Sequence, residues 1–397
     1  MSLSHIKLKK GEDRRIRSGH PWIYSNEVDT TATPLKSFSV GEEALVEAHD
    51  KSILGVAYVN PHSLITARIV ARHPLERLNT EWYLTRIKQA HALREQLFKA
   101  PYYRLVFSEA DELPGLVIDR FANDFVVQIN TAGMELKKEM MIEALCTLFP
   151  SIHSILLRND NAIREHEGLE SYVQPGFGQP PEIVTLEENG TRFTLPLWQG
   201  QKTGWFYDHR LNRARLQHYV ANGRVLDVFS YLGAWGVQAA LNKATLVDCI
   251  EVSEFAGHFI MENAKLNHVD HKLNVICDDA FSAMKQLLRE NKQYDVIVLD
   301  PPAFVKKFKD RKEGLIAYQR LNEMALKLLS LNGILISCSC SMHVSMEDLI
   351  DLLKRVAFRT HSHIQILERG HQAPDHPIHL LIPETDYLKA VFVRKLN

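Results

Sequence analysis

Four acidic positions and one thiol carry the chemistry open to this chain. Asp227, Glu251 and Asp279 stand at or just past the ends of three successive apolar segments, and a fourth such segment ends in Asp300-Pro-Pro-Ala-Phe304. Asp227 opens the stretch Asp227-Val-Phe-Ser-Tyr-Leu-Gly-Ala-Trp-Gly236, in which Phe229 and Gly233 belong to a turn that a ligand can approach closely. The first glycine of a dinucleotide-binding GxGxxG is absent, and an acidic residue before the loop repels a pyrophosphate but suits a ligand bearing an ammonium and a sulfonium. Glu251 is spaced to accept from ribose hydroxyls, and Asp279 from an adenine amino group. Each carboxylate alone could serve as a helix cap; the three in this order fit S-adenosylmethionine, with Asp227 at the amino acid, Glu251 at the ribose and Asp279 at the base.

The fifth segment reads Ile334-Leu-Ile-Ser-Cys-Ser-Cys-Ser341. Cys338 and Cys340 are two apart and share a face of an extended strand. Cys340 is nearer the carboxyl end, where open α/β sheets bind their ligands. A thiolate there can add to C6 of a cytosine, making C5 enamine-like and able to accept a methyl group. A base then removes the C5 proton and the thiol is eliminated. Cys146, Cys249, Cys277 and Cys338 read as small buried hydrophobes.

The elements that must position these residues follow from the hydrophobic pattern. From about Glu187 onward strands alternate with helices: Val225–Phe229, Thr245–Glu251, Asn274–Cys277, Tyr294–Leu299 and Gly333–Cys338 are the strands, with helices between them. Such alternation predicts a mainly parallel, doubly wound sheet. Two final strands, Ile364–Glu368 and Tyr387–Arg394, close the pattern. The segment before it predicts an α+β unit, with a helix over Thr80–Ala100 that buries Tyr83, Ile87, Ala90 and Leu97, and with a connecting turn over Gln174–Pro181. Residues 1–73 read as a small β module. Arg14, Arg15 and Arg17 beside His20, Trp22 and Tyr24 predict either an RNA-binding edge or a solvated basic strand.

Composition narrows the class. A chain of 397 residues predicts two or three domains, and 45% hydrophobic with 24% charged residues excludes wholesale disorder. Lys+Arg 47 against Asp+Glu 48 gives a net charge of −1, so nucleic-acid binding must rest on local patches. No apolar stretch spans a bilayer, and the basic Met1–Lys10 lacks the apolar core of a signal peptide. Five cysteines without CxxC spacing and nineteen scattered histidines predict reduced thiols, a cytoplasmic location and no metal site. Past Asp300-Pro-Pro, the run Lys306, Lys307, Lys309, Arg311, Lys312 is opposed only by Asp310, which suits phosphates.

Asp300-Pro-Pro-Ala-Phe304 resembles the fourth motif of class I methyltransferases, which faces the target base. The whole chain resembles the bacterial large-subunit (23S) ribosomal RNA cytosine-C5 methyltransferase I family. Gly11–Tyr24 resembles that family's N-terminal PUA domain, an RNA-binding β-barrel. Gln201-Lys-Thr-Gly-Trp-Phe-Tyr-Asp-His-Arg210 resembles its entry into the catalytic domain, and Ser339-Cys-Ser341 matches its Ser-Cys-Ser, although Met342 stands where the family usually has glycine. The resemblance implies a multi-domain chain: a PUA-like β-barrel over 1–73, a central α+β (EEHEE) domain over 74–186 and a Rossmann-like α/β methyltransferase domain over 187–397. It implies Cys340 as nucleophile, and Asp300 at the cytosine N3/N4 edge or assisting proton transfer. It further implies that Lys202, Thr203, Phe206 and Asp208 line or close the S-adenosylmethionine pocket. Asp375-His-Pro377 matches a late hairpin, which puts His376 on a substrate-side loop or in a structural turn. Ribosomal RNA is the implied partner, and a homodimer is compatible with the sequence. Two other readings stand beside this one. One is a guanine N-methyltransferase in which Asp300-Pro-Pro binds the target amine and Cys340 is incidental. The other is a noncatalytic RNA-binding assembly factor with a vestigial cofactor fold, against which the three acidic strand ends argue.

Overall fold

The computed structural model describes residues 3–397; Met1 and Ser2, the start of the basic N-terminal segment, lie outside the described residues. The chain forms two compact units, one of residues 1–184, 196–205 and 375–385, the other of 185–195, 206–374 and 386–397.

The first unit holds two five-stranded sheets. The N-terminal one comprises β1 (Ser4–Lys7), β2 (Trp22–Tyr24), β3 (Glu42–Glu47), β4 (Ile53–Val59) and β5 (Ile65–Ala71), in the order β1-β3-β4-β5-β2. An antiparallel bridge between Leu8 and Val28, just past the two edge strands, joins the edges as a barrel requires. Its core is Ile6, Ile23, Val46, Ala57, Val59 and Ile69 with their neighbours. Helix α1 (Asp13–Arg17) lies between β1 and β2.

The second sheet comprises β6 (Tyr102–Phe107), β7 (Leu116–Phe121), β8 (Asp124–Ile129), β9 (Ser154–Asn159) and β10 (Tyr172–Gly178), in the order β10-β9-β8-β7-β6. Helices α2 (Thr80–Leu97), α3 (Ala132–Glu135), α4 (Lys138–Leu148) and α5 (Ile163–His166) accompany it. The predicted turn at Gln174–Pro181 is largely strand β10. Proline fits there because β10 is an edge strand, and the register shifts between Pro175 and Phe177. In α2 the expected Leu97 is exposed, and Arg94 is buried instead. Its guanidinium is neutralised by both Asp111 oxygens at 2.7 Å, and that pairing is what lets a cation enter the packed seam.

The second unit is built on a seven-stranded sheet. Its strands are β13 (Arg224–Val228), β14 (Leu246–Ile250), β15 (Leu273–Ile276), β16 (Tyr294–Leu299), β17 (Leu329–Ser339), β18 (Ile364–His371) and β19 (Lys389–Lys395), in the order β15-β14-β13-β16-β17-β19-β18. A hairpin of β11 (Ile183–Glu188) and β12 (Thr191–Pro196) precedes it in the chain. Strands β13 to β17 are mutually parallel and β19 runs against both neighbours. The central runs Val225–Val228 and Val296–Leu299 are buried throughout, as strands covered on both faces must be. The helices are α6 (Arg210–Leu216), α7 (Ala234–Leu241), α8 (Glu254–Leu266), α9 (Ala280–Arg289), α10 (Arg311–Leu328) and α11 (Met346–Arg359). Helix α10 starts at Arg311, seven residues before the Tyr318 start read from the sequence, so the distal part of the basic run is helical. Among the described residues no helix is long and apolar enough to cross a membrane.

Candidate active site

All five chemistry-bearing segments end on one edge of the seven-stranded sheet, because parallel strands place their carboxyl ends together. The turn after β13 is the most constrained. Phe229 and Tyr231 have φ of 67° and 51°, a left-handed conformation that costs non-glycine residues energy and clusters at functional sites. Gly233 follows with φ 82°. At Gly236 a Cβ would meet the Cys249 Sγ at 2.6 Å and Asp227 Oδ2 at 3.2 Å, so only glycine lets α7 start this close to the sheet. The Gly236 amide donates to Asp227 Oδ2 at 3.0 Å. Asp227 Oδ1 is buried and has no hydrogen-bond partner among the described residues. Burial pushes the Asp227 carboxyl up to about 7, against the opposing pull of Ser230 and Gly236, and the charges of Asp300 and Glu251 add to the rise.

Glu251 and Asp279 hold backbone as well as standing at strand ends. Glu251 accepts from the Tyr231 amide at 2.8 Å and the Ser253 amide at 3.0 Å, tying the β13 turn to the β14 turn. Asp279 is exposed and caps α9 through the Phe281 and Ser282 amides, both at 3.1 Å. Phe206 sits edge-on to Tyr231 at 5.4 Å. Asp208 is buried and accepts from the Tyr387 hydroxyl at 2.5 Å. Lys202 and Thr203 belong to the first unit, where Thr203 is buried and Lys202 exposed.

Asp300 has two close partners: the Trp235 indole donates to Oδ2 at 3.0 Å, and His209 Nε2 lies 3.1 Å from Oδ1 at ion-pair distance. Asn212 Nδ2 lies 3.2 Å from His209 Nδ1, so Nδ1 accepts and the ring proton sits on Nε2, the nitrogen nearer Asp300. Burial would raise the Asp300 carboxyl, but His209 and Trp235 outweigh it and keep it below the usual carboxylate range. His209, Asp300 and Cys338 offer donor atoms within 4.8 Å of one another, with His209 and Asp300 3.1 Å apart.

The two cysteines separate cleanly. Cys338 is buried, and burial, with the Asp300 charge adding, pushes its thiol well above the ordinary range. Cys340 is half-buried, and its Sγ faces the Pro301 carbonyl at 3.9 Å. Its flanking serines fix the turn. Ser339 Oγ donates to the Tyr318 hydroxyl at 2.9 Å, Tyr318 and Ser341 Oγ are 3.0 Å apart, and the Val305 amide donates to Ser341 Oγ at 3.2 Å. The Ser-Cys-Ser turn is thereby tied to the Asp300-Pro-Pro loop. Lys389 is buried behind it, donating to the carbonyls of Ser341 at 2.7 Å and Tyr387 at 2.8 Å. Burial lowers the Lys389 ammonium to about 8, opposed by the nearby Cys340. Cys277, expected in the core, is exposed instead, because β15 is an edge strand.

Sequence reasoning missed His209, Trp235, Tyr318 and Lys389. His209 and Trp235 lie inside the Gln201–Arg210 and Asp227–Gly236 motifs, but their common partner Asp300 is 91 and 65 residues away. Lys306 and Lys307 are exposed after the Pro-Pro turn. In the first unit, Arg14 is exposed, Arg15 bonds Glu27 at 2.7 Å and stacks over Tyr24, and Arg17 pairs with Asp13 and Asp50. His376 is buried, 3.0 Å from Asp375 and packed on Phe107.

Known proteins resemble this chain over its whole length. Residues 6–72 match the PUA-like domain family, and residues 164–394 match the S-adenosylmethionine-dependent methyltransferase family. Ribosomal RNA large subunit methyltransferase I of Pseudoalteromonas atlantica is 33% identical over 397 residues, 99% of this chain and 100% of that one. The protein of the same name from Escherichia coli K12 is 33% identical over 98% of both chains. A candidate SAM-dependent methyltransferase structure from Streptococcus mutans superposes with TM-score 0.83 at 18% identity, over 99% of this chain and 100% of that one. A methyltransferase-like chain solved with SAH superposes with TM-score 0.82 at 19% identity, again over 99% and 100%. At such identity these two speak for the fold. The residues present fit S-adenosylmethionine: an unpartnered buried carboxylate oxygen beside a glycine turn is an acceptor awaiting a cationic ligand.

Proposed function

Because the chain belongs to the S-adenosylmethionine-dependent methyltransferase family, over a match that covers residues 164–394, we propose that it methylates C5 of a cytosine in large-subunit ribosomal RNA, with Cys340 as the nucleophile. The relatives' name supports the RNA class. The observation that carries the C5 chemistry is Cys340 itself: a half-buried thiol at the end of β17, facing the Asp300-Pro-Pro turn and locked there by its two serines.

When bound, S-adenosylmethionine supplies the methyl group as an electrophile on a sulfonium. The chain's residues act on either side of that transfer. Asp227 and Glu251 accept from the cofactor's amino and ribose groups, Asp279 from its base, and Phe206, Phe229 and Gly233 shape the turn around it. Asp208 is assigned to closing that pocket. The Cys340 sulfur adds to C6 of the target ring, and the C5–C6 π electrons move to C5. Lys389, buried behind the turn, is the cation close enough to feel the Cys340 charge. After C5 carries the methyl group, a base takes the C5 proton, the C5–H electron pair re-forms the ring double bond, and the C6–S pair leaves with the sulfur as thiolate. Asp300, held ionised by His209 and Trp235, accepts from the cytosine N4 amine and orients the ring.

Residues 1–73 then serve as the RNA-binding module, with the exposed Arg14 meeting phosphates, 74–186 as the central domain and 187–397 as the catalytic domain. Lys306 and Lys307 also meet phosphates, and the reaction takes place in the cytoplasm. The test is the identity of the product. Ribosomal RNA incubated with the protein and labelled S-adenosylmethionine, then digested to nucleosides, is expected to give 5-methylcytidine by mass spectrometry. N-methylguanosine would overturn the C5 reading and make Cys340 incidental.

The Asp227 carboxyl supplies a second expected result. Its raised value means that it is largely protonated in acid, and pairing with an ammonium requires it ionised. Cofactor binding therefore releases a proton, and affinity rises by close to tenfold per pH unit up to about pH 7. Calorimetry in buffers of different ionisation enthalpy measures this directly. Asp227→Asn is expected to weaken binding and flatten its pH dependence; an unchanged slope in that variant would remove Asp227 from the pocket.

A further inference from the structure

Immediately past the Asp300-Pro-Pro loop, residues Phe308–Asp310 form a single helical turn that leads into α10. A cavity of about 540 Å³ opens here, lined by Phe308, Lys309, Lys312, Ile316, Gln319 and Arg355, among others. Its composition is unusual for a surface. Phe308 is 73% exposed and Ile316 50% exposed, so two large apolar groups stand in water within one concavity. The Phe308 ring is edge-on to His343 at 6.0 Å, which leaves most of its surface uncovered. Lys312, Ile316 and Gln319 recur at helical spacing on one face of α10, and Arg355 joins them from α11.

The charges are equally one-sided. Arg311 is already paired with Asp348 at 2.6 Å. Lys309, Lys312 and Arg355 have no carboxylate within ion-pairing distance among the described residues, and neither do Lys306 and Lys307 just upstream. An exposed aromatic ring beside several uncompensated cations is the chemistry that recognises single-stranded nucleic acid: the ring stacks on a base while the cations meet phosphates. An acidic protein segment would use the cations but has less need of a flat ring.

We propose that this cavity is a subsite for an unpaired nucleotide of the RNA substrate flanking the target base, its base stacked on Phe308 and its phosphate held by Lys312 and Arg355. The inference rests on the RNA-methyltransferase reading and deepens it. The subsite is linked to the reacting centre by the chain, because Val305, three residues before Phe308, is tied through its amide to Ser341 beside Cys340. A nucleotide gripped here would hold the strand while its neighbour is turned out of the stack towards the thiol.

The test uses the full-length protein, a fluorescent single-stranded RNA for affinity and a large-subunit ribosomal RNA transcript for turnover. Phe308→Ala is expected to weaken RNA binding by about tenfold, the scale of removing one base stack. It should raise KM for RNA and leave kcat and S-adenosylmethionine affinity within about twofold. Phe308→Trp should restore binding, whereas Phe308→Leu, apolar but not flat, should not. Lys312→Ala with Arg355→Ala should lower the slope of log affinity against log salt by about 0.7 for each phosphate that is no longer neutralised. Unchanged RNA affinity in Phe308→Ala, or full affinity in Phe308→Leu, would overturn the stacking subsite and leave the cavity to an acidic protein segment. Failure of the underlying reading looks different: the unaltered protein would then neither bind nor methylate the RNA, whatever stands at position 308.

Discussion

Cys340→Ala is expected to lose methyl transfer to RNA by a factor on the order of 10⁴ or more, as removal of a covalent nucleophile does. Cofactor affinity should stay within about twofold, because the thiol is assigned to the target ring and the cofactor to Asp227, Glu251 and Asp279. The comparison that gives this result its meaning is Cys338→Ala. Cys338 lies in β17 and Cys340 just past its end, but Cys338 is buried and its thiol is pushed well above the ordinary range, so it has neither access nor ionisation. That variant should therefore keep its turnover and lose only stability, by about 1 kcal/mol for a small buried group. A radiolabel-transfer assay with calorimetry on the same preparations measures both quantities. Retained transfer in Cys340→Ala would remove the thiol from the mechanism.

Asp300→Asn should produce the second largest effect. The carboxylate accepts from Trp235 on one oxygen and stands 3.1 Å from His209 Nε2 on the other, so both groups face an acceptor only while it is ionised. An amide in its place turns an N–H₂ group towards one of those donors. A buried donor left facing another donor costs about 1–3 kcal/mol, and the ring-orienting charge is lost as well. Turnover is expected to fall by about 10²–10³-fold, in line with removal of one preorganised electrostatic interaction, with a lowered melting temperature. His209→Ala should give the same two changes at smaller size, since it acts through Asp300. Because the Asp300 carboxyl is held low, the acid limb of the pH–rate profile should not belong to it. A wild-type rate after Asp300→Asn would leave the Asp300-Pro-Pro loop without a role in catalysis.

The architecture was legible where hydrophobic period and strand length were unambiguous. Tyr294–Leu299 is the same six residues in sequence pattern and structure, and β13, β14 and β15 each begin and end within one residue of the expected spans. Parallel strands buried on both faces leave no room for another reading. Where polar residues enter a packed element, the pattern gave no warning. Strand β10 contains Pro175 and two glycines, which signal a turn unless the strand lies at an edge, and being at an edge is a property of the whole sheet. Arg94 took a core position through its pairing with Asp111, a residue 17 positions away. The first turns of α10 are too rich in charge to be separated from the basic loop before them.

The site divides along the same line. Strand ends and motif spacing marked Asp227, Glu251, Asp300 and Cys340, because each is read from its own segment. His209, Trp235 and Lys389 act through partners on other segments, 65 residues away for Trp235 and 48 for Lys389, and no local pattern encodes such pairs. The structure also separated Cys338 from Cys340, which period-two alternation put on one face, by burying only the first.

The most direct measurement is to trap the sulfur on the ring. RNA carrying 5-fluorocytidine presents the same C6 to the nucleophile, but a fluorine at C5 cannot leave as a proton, so elimination is blocked after methylation. The account predicts a protein–RNA complex that survives denaturing electrophoresis, forms only with S-adenosylmethionine, and maps by mass spectrometry to the peptide containing Cys340. Efficient methylation of unmodified RNA with no trapped complex, or a complex mapped to another residue, would contradict it.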